Sequence, residues 1–431
     1  MSNIVWRAIL PLRSYLLVFH SDVNIGFVMN FPARKSLYHA GDFLRKELPL
    51  KIRSSRSFRL ATLAIVSITL FASLQTSYAQ DNDDSIVPTA KLVKLNDGDL
   101  RVFIGSEFFA EYRADYKGTP IVWPICGPNR SLVTRAWPMI DDVNVEGESD
   151  KTMMTIYKNA VISERNGVKD HPHHRSFWFN HGAVNNGDFW GGTPSTIRQI
   201  KLVSATEENN TVKIVTENVW RHDKLQRDIC RDVRTIVFGV SPDLPNVRFI
   251  DFSIEIYALE DNVVFGDTKE GSFGIRVPSP TALTSKKISP NWGGAILDDL
   301  GNKDGDTWGK QANWVNYTGP VEKFLEGDEL EVEYKKGEKA GNFPLTQMGI
   351  AVLNGPNSLG IVPWRHVRDY GLFSSNPFGQ KDFEPNNPKA NGSRSLNRNE
   401  SMSFNFRVLF HDGTLTEEEL NNAYSNYRNQ E

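Results

Sequence analysis

Short runs of alternating apolar and polar residues constrain the fold of this chain most strongly. Most of them are bounded by Gly, Asn, Asp or Pro, the residues that commonly form turns. Successive side chains of a β-strand point to opposite faces, so such alternation is typical of strands with one buried face. The runs are LRVFIG, TVKIVTENVW, RTIVFGV, VRFIDFSIEIYAL, GSFGIRV, ELEVEY, MGIAVLN and MSFNFRVLFHDG.

The lengths and spacing of these runs predict an all-β fold, a large antiparallel β-sandwich. Helix is predicted only at the C-terminal end, over residues 415–427. Thr414 or Thr416 can cap this helix, and the acidic residues 417–419 in its first turn favour the helix dipole. We therefore expect a sandwich followed by a short C-terminal helix.

A segment before residue 80 has the three parts of a secretory signal. Arg53, Arg56 and Arg59 form a positive region, and residues 60–74 are uncharged and mostly apolar. Small residues then precede a cleavage site near Ala79. The apolar run is short for a membrane span, and an uncleaved anchor is the alternative. We expect a periplasmic or secreted protein.

The position of this segment also divides the chain. It lies far from Met1, so we expect translation to start further downstream, with Met29 as a candidate. Residues 1–79 are then leader sequence, and residues 80–431 form a single domain. No other stretch approaches the apolar length of a membrane helix, so no membrane span is expected in the mature chain.

Charge argues against nucleic acid as a partner. The whole chain has 49 basic and 52 acidic residues, a formal net charge of −3. Without residues 1–79, 39 basic and 49 acidic residues remain, which gives −10. Binding to DNA, RNA or anionic lipid depends on clustered cations. The two cysteines, Cys126 and Cys230, can pair or stay as buried thiols, and their spacing does not indicate a metal site.

The stretch DHPHHRSFWFNHG, residues 170–182, contains four of the nine histidines. If it is extended after Pro172, its side chains alternate between two faces. A face that mixes histidine, arginine and phenylalanine is poor core material, because an unpaired buried guanidinium is costly. It suits a polar ligand. The odd face would carry His171, His173, Arg175, Phe177, Phe179 and His181, and the even face His174, Ser176, Trp178 and Asn180.

Three uses of this cluster remain open. His173 with His171 or His174 can bind a transition metal, although the sequence identifies no third ligand. Alternatively, a histidine acts as a general acid or base, with Arg175 stabilising an anion and the aromatic residues stacking on a sugar. In the third use, the cluster is a hydrogen-bonded structural plug between loops.

Three other stretches have similar chemical density. GDTKEGSFGIRV places Lys269 and Glu270 immediately before a predicted strand. In GKQANWVNYTGP, Trp314 and Tyr317 are a candidate sugar platform or ordinary aromatic anchors of a loop. PWRHVRDYGLFSSNPFG contains His366, Arg368, Asp369 and Tyr370, where Asp369 can orient His366 or pair with Arg368.

Six blocks, taken in order, resemble an exported bacterial family labelled methane oxygenase PmoA-like, of the planctomycete type. They are GPNRSLVTRAWP, DHPHHRSFWFNHGAVNNGDFW, TKEGSFGIRV, WVNYTGP, WRHVRDYGLFSSNPFG and FRVLFHDG. A true methane monooxygenase subunit of that name spans the membrane several times, so methane oxidation is not expected of this chain.

The resemblance implies a β-sandwich like that of galactose mutarotases, which move protons at a sugar with histidines and a carboxylate. Transferred to this chain, it implies His173, His174 or His181 as the acid and Glu270 or Asp369 as the base. The residue after Trp364 is Arg365, where that family would place a histidine, and His366 follows one position later.

Together these patterns predict a carbohydrate-active protein that binds a sugar or uronate and uses histidine and carboxylate acid–base chemistry. The alternatives are a non-catalytic glycan-binding module and a metal protein with histidine ligands. No cofactor is expected unless a transition metal binds. The candidate catalytic residues are His173, His174, His181, Glu270, His366 and Asp369, and the candidate ligand-binding residues are His171, Arg175, Trp178, Lys269, Trp314, Tyr317, Arg368 and Tyr370. We expect the cluster, Glu270 and the 364–370 block to meet at one pocket.

Overall fold

The structure is a computed structural model and describes residues 7–8, 15–19, 25–28, 88–191, 194–244, 246–337 and 343–429. The chain divides into two units, 1–83 and 84–431. The first contains a small antiparallel sheet of three strands, β1 (Arg7–Ala8), β2 (Tyr15–Phe19) and β3 (Ile25–Val28). The predicted secretory signal, residues 53–79, lies outside the described residues.

The second unit contains two eight-stranded antiparallel sheets. The first is called the front sheet here, and its order is β18-β19-β14-β8-β7-β6-β5-β4. Its strands are β4 (Ala90–Lys94), β5 (Leu100–Ile104), β6 (Glu107–Arg113), β7 (Ile121–Ile125), β8 (Phe177–His181), β14 (Gly271–Arg276), β18 (Trp364–Val367) and β19 (Leu372–Asn376).

The second is the back sheet, with the order β15-β16-β17-β21-β12-β11-β10-β9. A separate two-stranded ribbon pairs β13 (Val263–Phe265) with β20 (Arg394–Leu396). The strands of the back sheet are β9 (Thr196–Glu208), β10 (Thr211–His222), β11 (Arg227–Val240), β12 (Val247–Ala258), β15 (Ala295–Asp298), β16 (Trp314–Glu322), β17 (Leu345–Asn357) and β21 (Ser401–Asp412).

Aromatic side chains join the two sheets face to face. The Phe273 ring of the front sheet stacks on Phe406 of the back sheet, with centroids 4.5 Å apart and planes 10° apart. Phe177 meets Phe252 edge-on at 5.8 Å. Both pairs belong to one continuous buried cluster with residues from both sheets. The predicted all-β antiparallel sandwich is therefore confirmed.

Helices are short and few in the described part of the chain, and none of those described is long and apolar enough to cross a membrane. Single 3₁₀ turns occupy Met139–Asp142, Val145–Gly147, Ser279–Thr281, Leu283–Lys287 and Asp304–Thr307. The α-helices are α1 (Lys151–Glu164), α2 (Gly327–Lys335), α3 (Gln380–Phe383) and α4 (Glu417–Asn429).

Helix α1 was not predicted, because the sequence analysis placed helix only at the C-terminal end. Asp150 caps it by accepting hydrogen bonds from the backbone N–H groups of Thr152 and Met153. Met153, Ile156 and Ala160 share one helical face and pack in a buried cluster with Trp178 of the front sheet. This spacing, following an N-capping aspartate, was the signal for the helix.

The prediction of a strand at ELEVEY was wrong, because these residues form most of α2. The strict alternation suggested one buried strand face, yet Val332 is 59% exposed. Leu330 and Tyr334, four residues apart, instead pack against Ile162 of α1 and Leu325. A helical spacing of four thus determines the buried face, and the alternation of this acidic segment is incidental.

The two cysteines lie apart in the core as free thiols. Cys126 and Cys230 are both buried and form no disulfide. Burial raises the pKa of the Cys126 thiol to about 12, so it stays protonated at neutral pH. The sequence left open whether the two cysteines pair or stay as buried thiols, and in the structure they are buried thiols.

The C-terminal helix α4 begins with a capping box at Thr416, which was one of the two predicted capping residues. Thr416 Oγ1 accepts a hydrogen bond from the N–H of Glu419, and the Glu419 carboxylate accepts from the N–H of Thr416 at 2.8 Å. Leu420, Ala423 and Tyr427 then cover an apolar patch of the back sheet.

Replacement of the cap should destabilise the protein. We expect Thr416→Ala to lower the free energy of unfolding by about 1 kcal/mol, because the N–H of Glu419 in the first turn of α4 loses its acceptor, the Thr416 hydroxyl. The measurement is chemical denaturation followed by circular dichroism. Thr414→Ala is the matched control, since exposed Thr414 makes no capping bond. Equal stability of the two variants would contradict the assigned cap.

Candidate functional site

A pocket of about 470 Å³ opens on the face of the front sheet that points away from the sandwich core. Phe177 and Val367 belong to the core, so their neighbours Trp178 and His366 point outward on the alternating backbone. The pocket lining brings together three segments that are far apart in the sequence. It consists of His171, His173, His174, Gly182, Asp188, Trp190, Gly191, Lys269, Glu270, His366, Arg368 and Tyr370.

Strand order explains this convergence. β8 pairs with β14, β14 with β19, and β19 with β18, so the histidine cluster, Glu270 and the 364–370 block reach one edge region of the front sheet. The structure therefore brings together the three segments that were expected to meet. The chemical roles of their side chains remain predictions.

The backbone of the cluster differs from the extended form assumed in the sequence analysis. Residues 171–176 form a turn, in which the N–H of His174 donates to the carbonyl of His171, and the strand begins at Phe177. His171 and Ser176 have positive φ angles of 48° and 64°. The predicted separation of His171 and His173 from His174 onto opposite faces is therefore wrong, and all three line the pocket.

The rings of the cluster stack. His171 lies on Tyr370 with centroids 4.7 Å apart and planes 2° apart, and on His174 at 4.8 Å and 9°. Behind them, His174 lies on Trp178 at 5.5 Å and 17°. Within the described ranges, no three His, Cys, Asp or Glu side chains are grouped so that they could hold a metal ion. A transition-metal site at His171, His173 or His174, one of the three uses left open by the sequence, stays an untested alternative.

A buried charge network holds His174. Arg276 lies 3.1 Å from its Nδ1 and donates to the Asp170 carboxylate at 2.6 Å. Arg135 donates to the same Asp170 oxygen at 2.8 Å. A guanidinium can only donate, so Nδ1 of His174 is an acceptor and Nε2 carries the proton. Burial and the Arg276 charge hold the pKa of His174 well below its usual value.

His366 has the opposite arrangement. Its Nδ1 lies 2.8 Å from the carbonyl oxygen of Lys269, which can only accept, so Nδ1 carries the proton and Nε2 has a free lone pair. Burial lowers the pKa of His366 to about 4, although the negative charge of Glu270 opposes the shift. The pocket therefore has two neutral histidines, of which one presents an N–H group and the other a lone pair.

His173 is another histidine of the wall, half-buried and without a hydrogen bond inside the described ranges. Burial and the neighbouring His171 lower its pKa, whereas Glu270 and Asp188 act in the opposite direction. Glu270 is itself paired with Lys269, at 3.0 Å between Oε1 and Nζ.

Three of the predicted site residues do not line the pocket. His181 is fully buried, with Nε2 2.8 Å from the carbonyl of Gly266, and burial lowers its pKa to about 4. Arg175 donates to the backbone carbonyls of Tyr116 and Lys117. Asp369 is exposed, and it neither orients His366 nor pairs with Arg368. A structural role was one of the three uses left open for the histidine cluster, and the buried position of His181 fits this role.

Three predicted aromatic residues also lie away from the pocket wall. Trp314 is buried under α4, where its indole N–H donates to Asn421 at 2.8 Å. The Tyr317 hydroxyl accepts from the N–H of Leu283 in the core. Trp178 supports His174 from behind. Their apolar and aromatic character reflects packing, which alternation alone did not distinguish from a sugar platform.

Sequence reasoning missed the segment that closes one side of the pocket. Asp188 accepts hydrogen bonds from the N–H groups of Trp190 and Gly191, both at 2.8 Å, and so fixes a tight turn. The sequence NNGDFWGG contains the signal, since Asp at the first position and Gly at the fourth, here Asp188 and Gly191, commonly mark such a turn. The Arg135–Asp170–Arg276 network was missed as well, because its members are distant in the sequence.

With this geometry established, comparison with known proteins places the chain in a family. Residues 99–425 match the model of DUF6807, a family of unknown function, and the chain belongs to it. No curated protein matches the sequence. The resemblance to the PmoA-like methane oxygenase family was therefore wrong, because the matching family is DUF6807.

The buried neutral histidines should make stability depend on pH. In the unfolded chain a histidine has a pKa of about 6.5, whereas burial lowers the pKa of His181 and His366 to about 4. Between these values unfolding takes up protons, so stability rises with pH, by at most about 1.4 kcal/mol per pH unit for each histidine.

We expect the free energy of unfolding, measured by denaturant titration, to fall from pH 7 to pH 5. His181→Gln keeps an N–H donor for Gly266 but cannot titrate, so its stability should decrease less steeply over the same range. An unchanged slope in this variant would mean that His181 does not contribute to the pH dependence.

Proposed function

We propose that this protein is an exported carbohydrate-active protein that binds a sugar or uronate in the histidine-lined pocket and acts on it by acid–base chemistry. The observation that carries the proposal is the pair of buried neutral histidines on one wall. His366 offers a lone pair and His174 offers an N–H group, and both belong to the same pocket. Export is proposed from the signal-like sequence before residue 80.

The tautomers suit different steps of a proton transfer. His366 Nε2 is the group available to remove a proton, and its ring is held by the Lys269 carbonyl. His174 Nε2–H can donate to an oxygen that gains negative charge, as a neutral electrophile, because Arg276 occupies its other nitrogen. When His366 takes up a proton, the nearby Glu270 carboxylate stabilises the resulting cation.

The size and lining of the pocket suit a sugar. A volume of about 470 Å³ lies in the common range for small-molecule sites, about 300–1,000 Å³. The stacked His171 and Tyr370 rings and the buried Trp190 provide flat surfaces, whereas Lys269, Glu270 and the histidines provide polar groups for hydroxyls. Dense polar groups around flat surfaces are the chemistry that carbohydrate recognition requires.

Loss of the His366 base should lower turnover strongly without loss of fold. Asn in place of His366 can still donate to the Lys269 carbonyl but has no basic nitrogen. We expect His366→Asn to lower turnover about 10²–10⁴-fold on a responsive oligosaccharide, with an unchanged melting temperature. A panel of oligosaccharides screened with purified protein supplies the substrate, and Thr414→Ala is a control far from the pocket.

The same screen separates this proposal from the alternatives. Sugar binding without any turnover would support a non-catalytic glycan-binding module. Stoichiometric metal that resists dialysis, together with turnover lost on chelation, would support a metal protein. Full turnover in His366→Asn would remove His366 as the base.

A further inference from the structure

Arg368 is a cation of the pocket that the acid–base chemistry does not use. Its side chain is partly buried on the pocket wall, and its guanidinium lies 5.6 Å over the Tyr370 ring. Among the described residues, its side chain has no hydrogen-bond or ion-pair partner. Lys269, by contrast, is paired with Glu270, 3.0 Å away.

Two arginines behind the pocket wall, Arg135 and Arg276, differ from Arg368 because they have an anionic partner. Arg135 and Arg276 share the Asp170 carboxylate and are nearly inaccessible to solvent. A partly desolvated arginine that lines a pocket and has no anionic partner within hydrogen-bond distance is suited to a planar anionic group from a ligand. Two parallel N–H groups of a guanidinium match the two oxygens of a carboxylate.

Arg368 lies close along the chain to the proposed base, His366. His366 lies on β18 and Arg368 two residues later, and both side chains reach the pocket. Two residues of extended chain span about 6.6 Å. A carboxylate held by Arg368 therefore brings the carbon that bears it towards Nε2 of His366.

We propose that the ligand is a sugar acid whose carboxylate binds Arg368, and that His366 removes the proton from the carbon next to this carboxylate. The inference rests on the proposed function and names its substrate class. It selects, among acid–base reactions of sugars, those that begin with proton abstraction beside a carboxylate, and these are epimerisation and β-elimination.

The step balances without an oxidant. The C–H bond breaks, its proton passes to His366 Nε2, and the electron pair is delocalised into the carboxylate, where the Arg368 charge stabilises the extra negative charge. Return of a proton to the opposite face gives the epimer. Alternatively, the electron pair forms a C=C bond and expels the oxygen substituent of the next carbon, which leaves as an alcohol after protonation.

The binding test compares oligosaccharides of a hexuronic acid with the same oligosaccharides after reduction of the carboxyl group to CH₂OH. Isothermal titration calorimetry of the wild-type protein should show acid binding about 10–100-fold tighter than binding of the reduced form. Arg368→Gln should bind both forms equally. Arg198→Gln, an exposed arginine of β9, is the matched control and should behave as wild type.

The chemical test follows exchange in heavy water. Wild-type protein should introduce deuterium at the carbon next to the carboxylate of the uronic acid, detected by proton NMR, and His366→Asn should not. If the acids bind more tightly but no deuterium enters, proton abstraction is overturned and the carboxylate site stands.

The remaining outcomes separate the two proposals. Tight binding of the reduced oligosaccharides, equal to that of the acids, would overturn the role of Arg368 and leave the proposed function in place. Binding of neither form would overturn both. Retained preference for acids in Arg368→Gln would place the carboxylate on another group and overturn this inference.

Discussion

The aromatic layer between the two sheets is the constraint on which the rest of the structure depends. Once Phe273 packs on Phe406 and Phe177 on Phe252, the strand faces of the front sheet are determined. Every second side chain of β8 and β18 must then point outward. His366 reaches the pocket for this reason, because its neighbour Val367 is bound to the core.

The outer face of the front sheet is stabilised differently. Arg135 and Arg276 converge on one carboxylate, Asp170, and this network also holds the carbonyls and ring of the histidine turn. Breaking a buried charge pair by removal of one partner commonly costs about 3–5 kcal/mol, because the other charge is left uncompensated. The same charged network therefore has two effects. It anchors the histidine turn, and it determines which nitrogen of His174 carries the proton.

The pocket illustrates how two chemically identical side chains become different. His174 and His366 are both buried, which disfavours the charged form of each. They differ in what touches Nδ1, a guanidinium in one case and a carbonyl in the other. The neighbouring groups therefore assign the donor and the acceptor, and burial keeps both rings neutral at physiological pH.

The sequence by itself determined much of the architecture. Seven of the eight alternating runs named in the sequence are strands, because a half-buried strand must alternate. The capping pattern of Thr416 and Glu419 located the C-terminal helix. The sequence also predicted that the histidine cluster, Glu270 and residues 364–370 meet at one pocket, because each segment has polar and charged side chains that are unsuited to a sheet core.

Tertiary structure decided which residues form that site. The alternation of ELEVEY was misleading, because packing between two helices at Leu330 determines which of its side chains are buried. Helix α1 was not predicted, although its apolar residues have helical spacing. His181 and His366 look equivalent in the sequence, yet the first is enclosed by Gly266 and the core and the second lines the pocket. A single sequence records periodicity and residue type. It does not record which distant carbonyl, guanidinium or ring will meet each side chain, and those contacts fix protonation and exposure.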